Sequence, residues 1–293
     1  MTAQNRRDFL VTLATAAVGM ASACSPAASG GAVASRRKLN RIGLQLYTVR
    51  DQMKADLPGT LANVAAIGYK EVEFAGYFGR SPAEIRDLLA RNGLTSPSTH
   101  VPIELMRKEW PKTLAAAKQA GHQWVTIPWL GESERGGIDA WKRLAAEFNG
   151  AARIARDSGL RFAYHNHDFE LTPIPPALPQ GSPTIPLEVL ISNTDPALVD
   201  FELDLYWLTK GGGVASTYFH KYGKRFPLVH VKDSKGGIDH EMTEVGSGSI
   251  NFRGIFAEGE KAGIQHYFVE HDQPADPMAS ISTSYKYLAS LEY

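Results

Sequence analysis

The sequence has little cysteine, no excess charge of either sign and no long hydrophobic run. Its 293 residues include one cysteine, so no disulfide can form within the chain and a metal site built from several thiolates is excluded. Lys and Arg number 31, as do Asp and Glu, which leaves no basic excess for a nucleic-acid surface. The apolar stretch from Val11 to Ala23 is too short and too weakly hydrophobic for a secure membrane span.

The first 35 residues read as an export segment rather than as part of a fold. The stretch from Asn5 to Leu10 contains a twin-arginine pair and is followed by small apolar residues, which is typical of a twin-arginine export signal. The alternative is an ordinary disordered basic N-terminus. Residues 25–38 are rich in Ala, Ser and Gly and predict a flexible tether. We therefore expect export to the periplasm, with residues 36–293 as the folded domain.

The single cysteine, Cys24, suggests a lipid anchor. It follows Ala21-Ser22-Ala23, which resembles the cleavage box of a bacterial lipoprotein with Ala21 in place of the usual Leu. The same three residues also fit simple cleavage after an Ala-x-Ala pattern. Lipidation of Cys24 is thus the predicted route to the membrane, and cleavage without an anchor is the alternative.

Strand and helix signals alternate from Arg41 to the C-terminus. The predicted strands cover residues 41–49, 71–77, 95–100, 124–130, 161–167, 198–207, 226–234 and 265–272. Helix signals separate them, at 59–68, 81–93, 111–120, 138–158, 186–193, 214–223, 251–263 and 278–290. Eight such units predict an α/β fold, a single (β/α)8 TIM barrel. A doubly wound open sheet is disfavoured because no Gly-rich phosphate turn follows the first strand.

Polar residues gather at the ends of the later predicted strands, where barrel enzymes place their active sites. The stretch FAYHNHDFE begins apolar and ends in His165 and His167, which share one face of the strand. Histidine with carboxylate is the ligand set of a divalent ion such as Mn, Zn, Co or Mg. Any one of these residues alone could be a hydrogen-bonded core residue. The following set, at the ends of four strands, instead predicts one divalent metal: His165, Asp204, His230 and Glu270.

Five motifs carry a resemblance to a known family. In order, IGLQLYTVRD, YHNHDFE, FELDLYW, HVKDS and FVEHD resemble the xylose isomerase-like, or sugar phosphate isomerase/epimerase, barrels over roughly residues 40–292. The resemblance implies one divalent metal held by strands five to eight. His165 stands where many members have Glu, and His167 is a substitute or additional ligand. The resemblance also implies that His100, Glu170 and Trp207 contact the substrate. Lys232 resembles the lysine of the dehydratase branch.

The function implied is a metal-dependent sugar isomerase or epimerase that acts on a free or keto sugar through an enediolate. Glu270, His165 or His167 would remove the proton, and Lys232 or a histidine would return it. A strict two-glutamate epimerase mechanism is disfavoured, because His165 replaces one of the two glutamates.

Two further functions stay open. One is a dehydratase or lyase of the inosose dehydratase type, acting on a keto-sugar or keto-glycoside. The other is a non-catalytic sugar-binding lipoprotein with a degenerate metal site. An AP-endonuclease activity is disfavoured, because the fourth predicted strand ends in IPWL without the expected histidine and a basic surface is missing. The expected partner is therefore a small sugar and not nucleic acid.

Overall fold

Eight parallel strands close into a barrel in the computed structural model, which describes residues 37–176 and 182–293. The barrel strands are β1 Gly43–Gln45, β2 Glu71–Phe74, β3 Thr95–His100, β4 Trp124–Ile127, β5 Arg161–His165, β6 Val199–Asp204, β7 Leu228–Val231 and β10 His266–Val269. Two further strands, β8 Asp233–Ser234 and β9 Met242–Thr243, form a separate antiparallel ribbon. Strand β10 closes the barrel against β1, with Gly43 opposite Phe268. The predicted single (β/α)8 TIM barrel is confirmed.

Helices connect the strands. They are α1 Arg50–Ala55, α2 Leu57–Ile67, α3 Pro82–Arg91, α4 Ile103–Ala120, α5 Ile138–Asp157, α6 Pro186–Asn193, α7 Leu205–Lys210, α8 Ala215–Tyr222, α9 Phe252–Ala262 and α10 Pro277–Ser290. Helix α3 begins as the sequence predicts, because Ser81 and Glu84 form a reciprocal capping box and Pro82 occupies the first turn. Gly68 ends α2 at a φ of 128°, and a side chain there would collide with the ring of Tyr285.

The barrel interior has an apolar floor. Trp124, Ala163, Leu228 and Phe268 form a buried cluster of their own, separate from the main core outside the strands. Side chains alternate along a strand, so Ala163 lies on the face of His165, two residues closer to the start of β5. The polar residues at the strand ends therefore lie above an apolar floor.

Seven of the eight predicted strands end earlier than expected, and two of them end where a side chain caps a helical turn. The predicted strand 198–207 stops at Asp204, because its carboxylate accepts the N–H of Trp207 at 2.8 Å and starts α7. The predicted strand 41–49 stops at Gln45, whose side-chain oxygen accepts the N–H of Tyr47 at 3.0 Å. Both capped turns bring the following residues over the barrel mouth.

Some predictions fall outside the described residues. The export segment with Cys24 lies there. Residues Arg36–Tyr293 form one compact unit. Over the ranges that the structure describes, no helix is both long and apolar enough to cross a membrane.

Candidate metal and substrate site

The inward-facing side chains at the strand ends form two polar layers above the apolar floor. The upper layer consists of Asp204, Lys232, Glu270 and Asp272, and the lower layer of Gln45, Glu73, His100, His165 and Glu202. His230 belongs to both layers, since one ring nitrogen contacts each of them. The two layers combine residues from at least six barrel strands, together with Lys232, Glu270 and Asp272, which follow the ends of β7 and β10.

The upper layer is arranged around the ammonium of Lys232. Its Nζ lies 2.6 Å from Glu270 Oε2, 2.8 Å from Asp272 Oδ1 and 3.2 Å from Asp204 Oδ2. His230 Nδ1 lies 2.8 Å from the same Glu270 oxygen. Burial alone would raise the pKa of Glu270, but the charges of Lys232 and His230 bring it well below its usual value. Glu270 is therefore ionised.

The lower layer pairs two glutamates with two imidazoles. His100 Nε2 lies 2.8 Å from Glu202 Oε2 and 3.1 Å from Glu73 Oε2. His230 Nε2 lies 2.7 Å from the Glu73 oxygen and 3.1 Å from the Glu202 oxygen. Gln45 donates a further hydrogen bond to Glu73 at 2.7 Å. Burial opposes charge on His100, but the carboxylate of Glu73 and then that of Glu202 raise its pKa to about 9.

His165 and His167 are the neutral imidazoles of the site. His165 of the lower layer also approaches the upper layer, with Nδ1 3.1 Å from Glu202 Oε2 and Nε2 3.7 Å from Asp204 Oδ2. Burial and then nearby positive charge lower the pKa of both residues well below the usual value, with His230 acting on His165 and Lys232 acting on His167. Neutral imidazole can accept a proton or bind a metal ion.

Glu170 and Trp207, two predicted substrate contacts, differ in what they offer a ligand. Glu170 is fully buried, accepts the Tyr164 hydroxyl and accepts the backbone N–H of His167 at 2.8 Å. Its carboxylate thus holds the turn that carries His167. Trp207 lies beside His167, with ring centroids 5.2 Å apart. The Nε1 of Trp207 is buried and has no hydrogen-bond partner among the described residues.

The donor atoms of the site fit a divalent metal ion. Asp204, His230 and Glu270 each offer one ligand atom, and these atoms lie within 4.8 Å of one another. Asp204 Oδ2 is buried and accepts no hydrogen bond from the residues that the structure describes. His165, which was predicted with this set, groups instead with a second set that meets the same distance limit: His100, His165, Glu202 and His230. His167 belongs to neither set within the described ranges.

Sequence reasoning missed part of the lower layer. It did not select Gln45 or Glu73, and it did not place Glu202 among the predicted site residues. A signal was present, because Glu73 lies in the strand EVEF between the apolar residues Val72 and Phe74. A carboxylate buried in such a strand needs a partner. Its partners come from β3 and β7, which are distant along the chain, so the sequence gives no direct sign of the pairing.

Comparisons with known proteins agree with this geometry. The family model described as xylose isomerase-like TIM barrel matches residues 61–291. The inosose dehydratase of Salmonella agona is 24% identical over 236 residues, which cover 67% of this chain and 74% of that protein. A solved sugar phosphate isomerase/epimerase from Parabacteroides distasonis is 28% identical, with a TM-score of 0.74 over 91% of this chain and 99% of its own. The solved IOLI protein with a bound zinc atom shares the fold at 15% identity, with a TM-score of 0.67 over 84% of this chain and 95% of its own. Because the family model matches most of this chain, the chain belongs to the xylose isomerase-like TIM barrel family.

Proposed function

We propose that the chain is a metal-dependent isomerase or epimerase that moves a proton next to the carbonyl of a keto sugar. One observation carries the proposal: the ionised Glu270 and the neutral His165 both lie close to Asp204 in a buried site, so two bases flank one position. Asp204, His230 and Glu270 would hold the divalent ion, which supplies electrostatic stabilisation to a developing enediolate.

The chain's own residues divide the proton transfer among them. Glu270 accepts the proton from the carbon beside the carbonyl, because Lys232 keeps its carboxylate ionised. His165 or His167 is neutral and acts as the second base. Return of the proton to the opposite face of the same carbon gives an epimer, and return to the neighbouring carbon gives an isomer.

A dehydratase is the second candidate, and Lys232 is the residue that favours it. Its ammonium is fully buried beside Glu270, so acid and base groups lie 2.6 Å apart. After Glu270 removes the proton, an ammonium in this position can protonate a leaving hydroxyl. The inosose dehydratases at 24% identity support the same reading.

Proton exchange in D₂O separates these candidates. The metal-loaded chain is incubated with L-ribulose or with an inosose, and the products are followed by NMR. Deuterium beside the carbonyl with a new epimer or isomer supports the first candidate, and loss of water with an enone supports the second. The Glu270→Gln variant is expected to incorporate deuterium into neither sugar. A metal-loaded wild type that exchanges no deuterium into either sugar would contradict the proposal and favour a sugar-binding protein.

We also propose that the chain is exported by the twin-arginine route and anchored in the periplasm through Cys24. The support is the sequence of residues 5–24. The expected result is that Cys24→Ala releases the protein from the membrane fraction of the producing cells. Unchanged membrane association of Cys24→Ala would contradict the lipid anchor.

A further inference from the structure

An exposed tryptophan is held in a fixed position at the barrel mouth. Trp129 follows β4 and is 49% exposed. The guanidinium carbon of Arg135 lies 4.5 Å from its ring centroid, and this side chain is itself tied to the carbonyl of Leu130 by two hydrogen bonds. The rings of His167 and Phe169 meet the indole edge to face, with centroids 4.7 and 5.2 Å away. Three partners thus hold a half-exposed indole in one orientation, which is what a stacking surface for a ligand requires.

This ring is the outer end of a continuous aromatic wall, formed by Trp129, His167 and Trp207. The centroid of His167 lies 4.7 Å from that of Trp129 and 5.2 Å from that of Trp207. The ring of Trp207 lies 5.6 Å from Lys232 Nζ, which belongs to the upper layer. The wall therefore leads from solvent to the residues that carry the proposed chemistry.

The wall also carries unused hydrogen-bonding atoms. The Nδ1 of His167 and the Nε1 of Trp207 are buried, and neither has a hydrogen-bond partner among the residues with a described structure. A buried donor or acceptor without a partner costs free energy, which a ligand hydroxyl could recover. Aromatic faces combined with a few polar atoms are the usual lining of a small-molecule site.

The proposed proton transfer needs only the inner end of the wall. Among the described residues, the ring of Trp129 contacts His167, Phe169 and Arg135, none of which belongs to either polar layer. We propose that Trp129 forms a second subsite, which stacks against the second ring of a glycoside, so that the preferred substrate is a keto sugar joined to another pyranose. The identity of the first ring rests on the proposed function, whereas the stacking at Trp129 does not require any chemical step.

Isothermal titration calorimetry of the full chain tests the subsite with four probes: D-glucose and the dipyranosides maltose, cellobiose and trehalose. We expect at least one disaccharide to bind about three- to tenfold more tightly than glucose, as one stacking contact allows. Trp129→Ala should abolish that difference without weakening glucose binding, and Trp129→Phe should keep most of it. Ile154→Ala is the matched control, because Ile154 is 47% exposed on α5 away from the mouth.

Two results would overturn the subsite. One is a wild type for which no disaccharide binds more tightly than glucose. The other is a Trp129→Ala variant, with an unchanged unfolding temperature, that keeps the disaccharide preference. Failure of the proposed function is distinguishable: a chain that prefers disaccharides through Trp129 but exchanges no deuterium keeps the subsite and loses the catalysis. A chain that exchanges deuterium without any disaccharide preference keeps the catalysis and loses the subsite.

Discussion

Each buried charge at the barrel mouth lies beside side chains of opposite charge. In the upper layer, the ammonium of Lys232 lies among the carboxylates of Asp204, Glu270 and Asp272. Burial would lower the pKa of Lys232, but these carboxylates raise it well above its usual value, so the residue stays charged. Lys232 therefore does in the metal-free protein part of what a divalent cation would do, which is to compensate buried negative charge.

Removing this charge should expose its role. We expect Lys232→Met to lower the free energy of unfolding of the metal-free protein by roughly 3 kcal/mol, because it leaves buried carboxylates uncompensated. Added Mn²⁺ should raise the unfolding temperature of this variant more than that of the wild type. Thermal unfolding with and without Mn²⁺ measures both effects. Lys235→Met is the control, since Lys235 pairs with Glu241 on the surface; equal Mn²⁺ shifts in Lys232→Met and wild type would contradict the account.

Glu170 should give the protein a pH-dependent stability. Burial is the main cause that raises the pKa of Glu170 from 4.5 to about 7, against the opposing hydrogen bond from Tyr164. The folded state therefore binds a proton that the unfolded state releases between these values. The stabilisation is fully present below pH 4.5 and is lost as pH rises through 7.

The size of this effect follows from the shift in the pKa of Glu170. Relative to Glu170→Gln, the wild type should lose about 3 kcal/mol of unfolding free energy as pH rises across this window. Urea unfolding of both proteins at several pH values measures the difference. A difference between wild type and variant that does not change with pH would show that Glu170 titrates normally in the folded state.

Among the elements, the loop after β9 is held by one carboxylate. The sequence VGSGSI suggests a flexible connection, yet Asp233 accepts backbone N–H groups from four residues: Ser234, Gly246, Gly248 and Ile250. A side chain at Gly248 would lie 2.3 Å from Asp233 Oδ1, so only glycine permits this approach. Composition alone could not reveal this anchoring, because Asp233 lies in β8, whereas the loop follows β9.

Asp233→Asn should release this loop. Its amide nitrogen cannot accept hydrogen bonds, so about two of the N–H groups lose their acceptor, at a cost of roughly 1.5–3 kcal/mol each. We expect faster hydrogen exchange at residues 246–250, measured by mass spectrometry of that peptide. Asp239→Asn, in an exposed part of the same connection, should leave the exchange unchanged. Unaltered exchange in Asp233→Asn would mean that the loop is held by other contacts.

The sequence predicts the order of strands and helices well, but it predicts the residues at which each element ends less well. The periodicity that predicts residues 138–158 as a helix matches α5, and residues 186–193 match α6. Helices α1 and α7 were not predicted: the residues of α7 continue the apolar pattern of the preceding strand, whereas α1 is polar and follows the end of the predicted strand 41–49. What ends each strand is a side-chain cap, Gln45 or Asp204, and capping depends on geometry that an apolar pattern does not contain.

For the whole molecule, the barrel could be predicted because eight alternating units permit few other architectures. The candidate site could be predicted only at the strand ends that carry His and carboxylate together. Its lower layer depends on closure of the barrel, which brings Glu73 of β2 against His230 of β7. Closure also decides which ligands group together, and it places His165 nearer to Glu202 than to Asp204.

The most direct test of the central claim is the metal content of the purified full chain, measured by elemental analysis after loading with Mn, Zn, Co or Mg. The account predicts about one ion per wild-type chain, lost in Glu270→Ala and retained in Glu202→Ala. The two variants separate the upper set of ligands from the lower one. A wild type that binds no ion after loading, or an ion that Glu202→Ala loses and Glu270→Ala keeps, would contradict a metal centre in the upper layer.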